Sequence, residues 1–441
     1  MNGRKKTSLT LNFNLKSSFL PVVAAATEQA ALAFNLGKND ALRLTLAVEE
    51  IFNYLLEIGN DDENILINYL DGYYHVEVNI ALPVKKINLR AFNLTYSVSP
   101  EDDSKLNEMG LLLASRMADR MYLSLEKNQY LRLQMYKEKS YPEIVGDKPV
   151  PAGKISSISV TPCNEDLKDF CQGITATQQS YLYPLFFRFP GKFADMVNSG
   201  DYHALIAYNS KNRVIGGISW HESYEKTLEC FGPYVFADDR ETSEKLLERC
   251  LEQVGRTPAP GILNRCAIPG SGIEKYFEYL GATTFHSESG DKIKRNAHYR
   301  QLCEDMGSRV WAHPDLLSIL KEDYSRLFLP REVREVKNMG EYNDAYSVFA
   351  CDFGQKEVII RPLMAGHDAA SVLAQHIQLF ARENLKNIFF ELDLGEEWNA
   401  QLTPAVLSNG FRPCFTLPYA GKGDLLLLQY NAGEEICQQT V

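Results

Sequence analysis

A chain of 441 residues with 45% hydrophobic content is long enough for about three domains and apolar enough to pack each of them. Its formal net charge of −11 excludes general nucleic-acid binding, which needs a concentrated basic surface to release counterions. The nine scattered cysteines form no Cys-x-x-Cys, and the eight histidines no His-x-His or His-x-x-x-His, which argues against a disulfide framework and a metal site.

No apolar run approaches the roughly 20 residues of a membrane span. Arg4, Lys5 and Lys6 are not followed by the apolar stretch of a signal peptide. The expectation is a cytoplasmic protein with reduced thiols, no metal, no nucleic-acid partner and no membrane partner.

In chain order, Ser8 to Leu15 alternates like a strand and Val22 to Phe34 has helical periodicity. Leu36-Gly37 is expected to close that helix, with Gly37 in the left-handed conformation. A second helix carries Leu46 to Gly59. The strand-like runs Ile65 to Leu70 and Tyr74 to Val78 follow, joined by Asp71-Gly72, a hairpin signal. Taken alone, Glu49, Glu50 and Glu57 read as a solvated helix face.

In this order, residues 6–136 resemble the anti-sigma-factor kinases of the histidine-kinase-like GHKL ATPases. That family's nucleotide helix reads acidic-Glu-x-x-x-Asn, which sets Glu50 at the general base and Tyr54 at the Mg²⁺-binding Asn. A phenol cannot replace a carboxamide oxygen on Mg²⁺, which demands compact oxygen donors. Asn79-Ile80-Ala81-Leu82-Pro83 stands where the family has its adenine-reading Asp-x-Gly. The stretch from Met109 to Tyr122 resembles the lid but keeps only Gly110 of the lid glycines. The resemblance implies a GHKL-type α/β sandwich with a vestigial nucleotide site at Glu50, Tyr54 and Gly110. It implies no Mg-ATP chemistry, and a bacterial signalling role in which the N-terminal domain binds a protein partner.

The Pro- and Gly-bearing stretch 141–154 reads as a linker. After it, Ile155 to Val160 reads as a strand and Asn164 to Ala176 as a helix. Strands follow at His203 to Tyr208, Val214 to Trp220 and Cys230 to Phe236, then helix Ser243 to Val254, strand Ile262 to Ile268 and helix Gly272 to Leu280. This order resembles the GNAT acyltransferases, and Ile273 to Ala282 is similar to that family's Phe-Tyr-x-x-x-Gly-Phe helix end, with Gly281 as the stop. Laid on the family's pyrophosphate loop, Asp238, Glu241 and Ser243 occupy the three motif positions, where carboxylates repel an anion. Phe277 falls where the family has its general-acid tyrosine, between Tyr276 and Tyr279.

The later half of the plan recurs, with strands at Tyr346 to Asp352 and Glu357 to Leu363 and a helix at Ala369 to Asn384. Ile388 to Leu392 reads as a strand, Ala400 to Ser408 as a helix ending at Gly410, and Cys414 to Leu417 and Leu425 to Gln429 as strands. The resemblance then implies that Gly366, His367, Ala369 and Ala370 hold the acyl-CoA pyrophosphate at a helix start. Val406 takes the tyrosine position, so a general acid has to come from His367 or Tyr419, or from Tyr276 or Tyr279 in the first module. His367 also reads as an ordinary helix-terminal histidine. The aromatic run Tyr181 to Phe193 reads either as core or, where exposed, as a groove for an acyl group or peptide. The turn-like Pro190-Gly191 gives the run a loop-like end.

The fold class expected is α/β (α+β multidomain): a GHKL-type sandwich at 1–140, a linker at 141–154, and GNAT-like mixed-sheet modules at 155–300 and 301–441. The function expected is a regulatory protein whose acyl-CoA-binding or N-acyltransferase region serves a small-molecule or protein amine. The alternative is a non-enzymatic signalling scaffold.

Overall fold

A computed structural model describes residues 7–60, 62–83, 93–95, 113–126, 130–146, 150–151, 153–224, 226–237, 239–337, 342, 345–354 and 356–431. The chain divides into two compact units, Met1–Tyr141 with Tyr346–Asp352, and Pro142–Ala345 with Phe353–Val441. It is a multidomain α+β protein with several mixed sheets.

In the first unit, β1 (Ser8–Asn14), β2 (Asn64–Asp71), β3 (His75–Pro83), β4 (Arg120–Glu126) and β5 (Tyr130–Glu138) form an antiparallel sheet of order β1-β2-β3-β5-β4. Alternation decides which face is covered. Ile65, Ile67 and Tyr69 of β2 point inward and join Leu44, Val48, Ile51 and Leu55 of helix α2 (Lys38–Ile58) and Val23 and Ala30 of α1 (Leu20–Ala33) in one core. Each valine, leucine or isoleucine among them contributes about 1.5–3 kcal/mol by leaving water. The Tyr69 hydroxyl, carried into this core, lies 2.8 Å from Thr27 Oγ1.

One local expectation is corrected and one is met, since the Asp71-Gly72 hairpin joins β2 to β3. Helix α1 is closed by Asn35 at φ 63°, with Asn35 N donating to Leu32 O and Leu36 N to Ala31 O, whereas Gly37 at φ −62° starts α2. Two crossed bonds of this kind need one left-handed residue, and Asn tolerates that conformation. At the hairpin the left-handed residue is Tyr73, at φ 66°, rather than Gly72. The Asp71 carboxylate accepts from Tyr73 N at 2.9 Å and holds the turn.

The second unit contains a seven-stranded sheet of order β11-β12-β10-β9-β8-β7-β6. Its strands are β6 (Ile155–Ser159), β7 (Tyr202–Asn209), β8 (Val214–Glu222), β9 (Leu228–Val235), β10 (Gly261–Asn264), β11 (Glu278–His286) and β12 (Lys292–Gln301). Both faces are covered. Leu205 and Ala207 of β7 pack with Leu246, Leu247 and Cys250 of α5 (Arg240–Val254), while Ala204 and Ile206 pack with Leu167 and Phe170 of α3 (Asn164–Thr177) and Phe193 of α4 (Pro190–Ser199). That alternation explains why β7 and β8 read as nearly continuous apolar runs. Among these strands only β9 and β10 run parallel.

The rest of the unit opens with a parallel pair, β13 (Ser308–Ala312) and β14 (Arg331–Glu335), joined through α6 (Pro314–Arg326). Strand β15 (Val348–Phe353) belongs up to Asp352 to the first unit, where Asn93 Nδ2 donates to Ser347 O and Phe349 N donates to Asn93 Oδ1. Then come β16 (Glu357–Met364), α7 (Ala369–Arg382), β17 (Asn387–Asp393), the short helices α8 (Glu397–Ala400) and α9 (Thr403–Ser408), β18 (Phe411–Leu417) and β19 (Leu425–Tyr430). The strands run β16-β17-β19-β18, parallel between β16 and β17 and antiparallel after.

The expected helix Gly272 to Leu280 is the largest correction. Only Ile273–Lys275 is helical, as a 3₁₀ turn, and Gly281 lies inside β11. A Cβ at Gly281 would stand 2.8 Å from Cys414 O, so the glycine lets β11 approach β18 and does not stop a helix. Pro190-Gly191 opens α4, with Pro190 in the first turn, instead of forming a turn. Ala400 to Ser408 is two helices, α8 ending at Ala400 and α9 beginning at Thr403, with Pro404 in the first turn of α9. Gly410, at φ 89°, does follow a helix as expected.

The edge of β11 is closed by side chains. Arg326 donates to the carbonyls of Tyr279 at 2.6 Å and Leu280 at 2.8 Å. The Gln429 amide bonds both Thr284 N and Thr284 O, and the Asn387 amide both His286 N and His286 O.

Candidate functional site

Strands β9 and β10 pair at only two positions, Ile262 with Leu228 and Leu263 with Glu229, and then part. Asn264, 1% exposed, spans the opening, its Nδ2 donating to Gly232 O at 2.8 Å. The parallel pair β16/β17 ends similarly after Ile360 and Phe390, and the next residues on the two strands, Arg361 and Glu391, form an ion pair at 2.5 Å.

Charged side chains gather where these strands part. Glu229, 3% exposed, accepts at Oε1 from Arg265 Nε at 2.6 Å and at Oε2 from Ser223 Oγ at 2.8 Å, and His221 Nε2 lies 3.9 Å from Oε2. Arg265 reaches on to Glu391 at 3.4 Å, which links the two parallel pairs through one Glu-Arg-Glu-Arg chain. Burial pushes the Glu229 carboxyl up, but Arg265 and then His221 outweigh it and hold it below the usual carboxylate range. A buried pair of this kind is strongly destabilised when one partner is lost.

In front of this chain lies a cavity of 320 Å³. One wall is the aromatic segment Tyr181 to Phe186, and another is the stack of Tyr202 on His221, centroids 4.1 Å apart, with Phe231 beyond. The far wall comes from Ile359, Phe389, Phe415 and Leu427. Arg295 of β12 lies between the rings of Phe285 and Phe389 and pairs with Glu357 of β16 at 2.8 Å. Cys266 donates to Tyr181 O at 3.4 Å. Burial pushes its thiol up to about 11, against the opposing influence of Arg295. An apolar cavity with a few converging polar groups is the usual form of a small-molecule site. His221, an imidazole stacked on Tyr202 with Phe231 to one side and a carboxylate close by, is suited to moving a proton.

The residues expected to form a site lie apart from this cavity. Tyr276 donates to Glu248 at 2.8 Å, and Tyr279 is exposed beside Lys294. Tyr419 bonds Asp305 in a network with Arg331 and Asp424, and burial and that bond push its phenol up to about 12. His367 is exposed, its ring edge-on to Tyr342. Gly366 and Ala369 are buried at the start of α7, and Ala370 is exposed. Tyr54, 6% exposed, is part of the helix-on-sheet core, Glu50 is half-buried, and Gly110 lies outside the described residues.

At the other loop Asp239 caps α5, accepting from Glu241 N at 3.2 Å and from Thr242 Oγ1 at 2.5 Å. Ser243 is buried on Ser271 O, and Asp238 lies outside the described residues. Sequence reasoning missed Glu229, Arg265, Arg361 and Glu391. Their signal was a carboxylate set inside an apolar strand, in Leu228-Glu229-Cys230-Phe231 and Phe390-Glu391-Leu392. Among the described residues no cluster of metal-ligating side chains occurs, and no helix is long and apolar enough to cross a membrane.

No family model matches the chain, and no curated protein matches it. Among solved structures it is similar to an N-acetyltransferase from Staphylococcus aureus Mu50, at 12% identity and TM-score 0.27, over 33% of this chain and 99% of that one. A GNAT superfamily phosphinothricin acetyltransferase from Sinorhizobium meliloti, in complex with AcCoA, is similar at 13% identity and TM-score 0.27, over 34% and 89% of the two chains. The aminoglycoside 6'-acetyltransferase type Ii is similar at 13% and 0.24, over 34% and 99%. Values this low decide nothing about chemistry.

Proposed function

We propose that the second unit is an acyl-CoA-dependent N-acyltransferase of the GNAT kind, built from two GNAT-like modules that meet at the cavity. The observation that carries this reading is the parallel pair β9/β10, which parts after two positions in a sheet ordered β6-β7-β8-β9-β10-β12-β11. Its strand relation recurs in β16-β17-β19-β18. Parted strands turn main-chain donors and acceptors toward the gap, where an amide-bearing pantetheine arm can meet them.

In the reaction a neutral amine attacks the thioester carbonyl, the C–N bond forms, the C–S bond breaks, and CoA leaves as the thiolate. His221 takes the ammonium proton, with Glu229 holding positive charge on the ring. General-base help of this kind is worth about 10²- to 10⁴-fold. The pyrophosphate site is assigned to Gly366, His367, Ala369 and Ala370, because among the described residues the N-cap residue of α7, Asp368, makes no side-chain cap bond, whereas Asp239 already caps α5. The first unit serves as a non-catalytic partner-binding domain without ATP turnover, since Tyr54 is committed to the core.

One observation favours a non-enzymatic scaffold instead: the Asp239 carboxylate sits where an anion would meet the first-turn donors of α5. Calorimetry of the full chain with acetyl-CoA, followed by thiol release in the presence of an amine panel, decides between them. Binding with release supports the transferase, and no binding at millimolar acetyl-CoA supports the scaffold.

A further inference from the structure

The Arg295–Glu357 pair is built unlike the Arg265–Glu229 pair of the same cavity. Arg265 Nε donates a short hydrogen bond to Glu229 Oε1, at 2.6 Å. Arg295 NH1 stands 2.8 Å from Glu357 Oε2, yet Oε2 and Arg295 Nε are both buried and have no hydrogen bond among the described residues. The pair is held by charge and not by alignment, although burial penalises polar atoms left without partners. The guanidinium face is already fixed by Phe285 and Phe389, so it is oriented before any ligand arrives. Beside it the cavity is walled by Tyr181, Phe186, Phe231 and Phe415 and has 320 Å³ of space.

Adjacent opposite charges at the rim of an aromatic cavity match a ligand that carries adjacent opposite charges on an apolar body. A diamine would set a cation against Arg295, and a dicarboxylate an anion against Glu357. We infer that the cavity binds an α-amino acid with an aromatic or branched apolar side chain, its carboxylate on Arg295, its ammonium on Glu357 and its side chain among the aromatic rings. The ligand carboxylate meets the guanidinium as a fork, the aligned arrangement that Glu357 does not achieve. Binding stands apart from the acyltransferase reading; only the fate of the amine, as acyl acceptor, rests on it.

The test is calorimetric titration of the full chain, without acyl-CoA, with L-phenylalanine, L-leucine, phenethylamine, 3-phenylpropionate and putrescine. The two amino acids are expected to bind, the single-charge analogues about tenfold or more weakly, and putrescine not at all. Arg295→Met and Glu357→Gln should each weaken L-phenylalanine by about tenfold or more. If either variant loses its native melting transition, the analogue series on the wild type decides alone. No heat from either amino acid at millimolar concentration, or phenethylamine binding as tightly as phenylalanine, overturns the assignment. Because acyl-CoA is absent from this titration, failure here is separate from failure of the transferase reading.

Discussion

Asn264 Nδ2 donates to the carbonyl of Gly232 across the gap between β9 and β10, at 2.8 Å, while Asn264 Oδ1 accepts from Cys266 N at 3.2 Å. One buried carboxamide thus takes the place of the ladder bonds that end at Leu263 and Glu229. Asn264→Leu keeps the size but strands both main-chain groups. We predict a loss of about 1–3 kcal/mol for each group left unsatisfied, read as a lower urea midpoint.

Gly281 tests the approach of β11 to β18. A methyl group at this position meets Cys414 O at 2.8 Å and Phe415 Cβ at 2.8 Å. Gly281→Ala is expected to cost about 1–3 kcal/mol through overpacking. Were Gly281 a helix stop, alanine there would leave these contacts untouched. Chemical denaturation reads the difference.

Glu229 should make stability depend on acid. Its folded pKa is depressed, so its contribution is present above its unfolded value of about 4.3 and is lost as pH falls through the folded value. Glu229→Gln is therefore less stable than wild type at neutral pH, and the gap narrows on acidification below about pH 4. A gap that stays the same as the pH is taken below about 4 refutes the ion-pair role.

The acyl-CoA assignment is tested at Ala370, which is exposed in the first turn of α7. Ala370→Asp suits the helix dipole, so the fold is kept while a carboxylate enters the proposed anion site. Calorimetry should show acetyl-CoA affinity reduced by about tenfold or more, as like charge at a helix start requires. Glu241→Ala, at the loop capped by Asp239, should leave it unchanged. The reverse pattern moves the site to α5.

Arg331 sits at full burial between Asp424 and Asp305, each 2.7 Å away, with Tyr419 stacked on the guanidinium. Arg331→Met leaves two buried carboxylates without their cation and should cost about 3–5 kcal/mol. Thermal melting measures it, and Tyr419→Phe should cost much less.

What could be read from the sequence follows from which faces are wet. In the first unit β2 buries one face, so Ile65, Ile67 and Tyr69 alternate with the outward Leu66, Asn68 and Leu70, and its β-branched and aromatic residues up to the Asp71-Gly72 turn made the strand evident. The helix periodicity of α5 was equally plain, since its outer face is Arg, Glu and Lys. Gly281 misled because a glycine after an apolar run looks the same whether it ends a helix or admits a neighbouring strand. The elements β13, α6 and β14 went unread because β14, Arg331-Glu332-Val333-Arg334-Glu335, is charged along its length. The site was hidden for a related reason: Glu229 and Arg265 are 36 residues apart, and only the return of β10 beside β9 joins them.

The closure of β11 by Arg326, Gln429 and Asn387 also bears on how the chain is made. Until residues past 429 leave the ribosome, the backbone of Thr284 and His286 has no partner, and a nascent chain halted near residue 300 presents a bare strand edge to its neighbours. Unpaired edges recruit other strands. Synthesis of the last third of the protein is therefore what makes the middle third safe from self-association, and a truncation just after Gln301 should accumulate in inclusion bodies even though its own seven strands are complete.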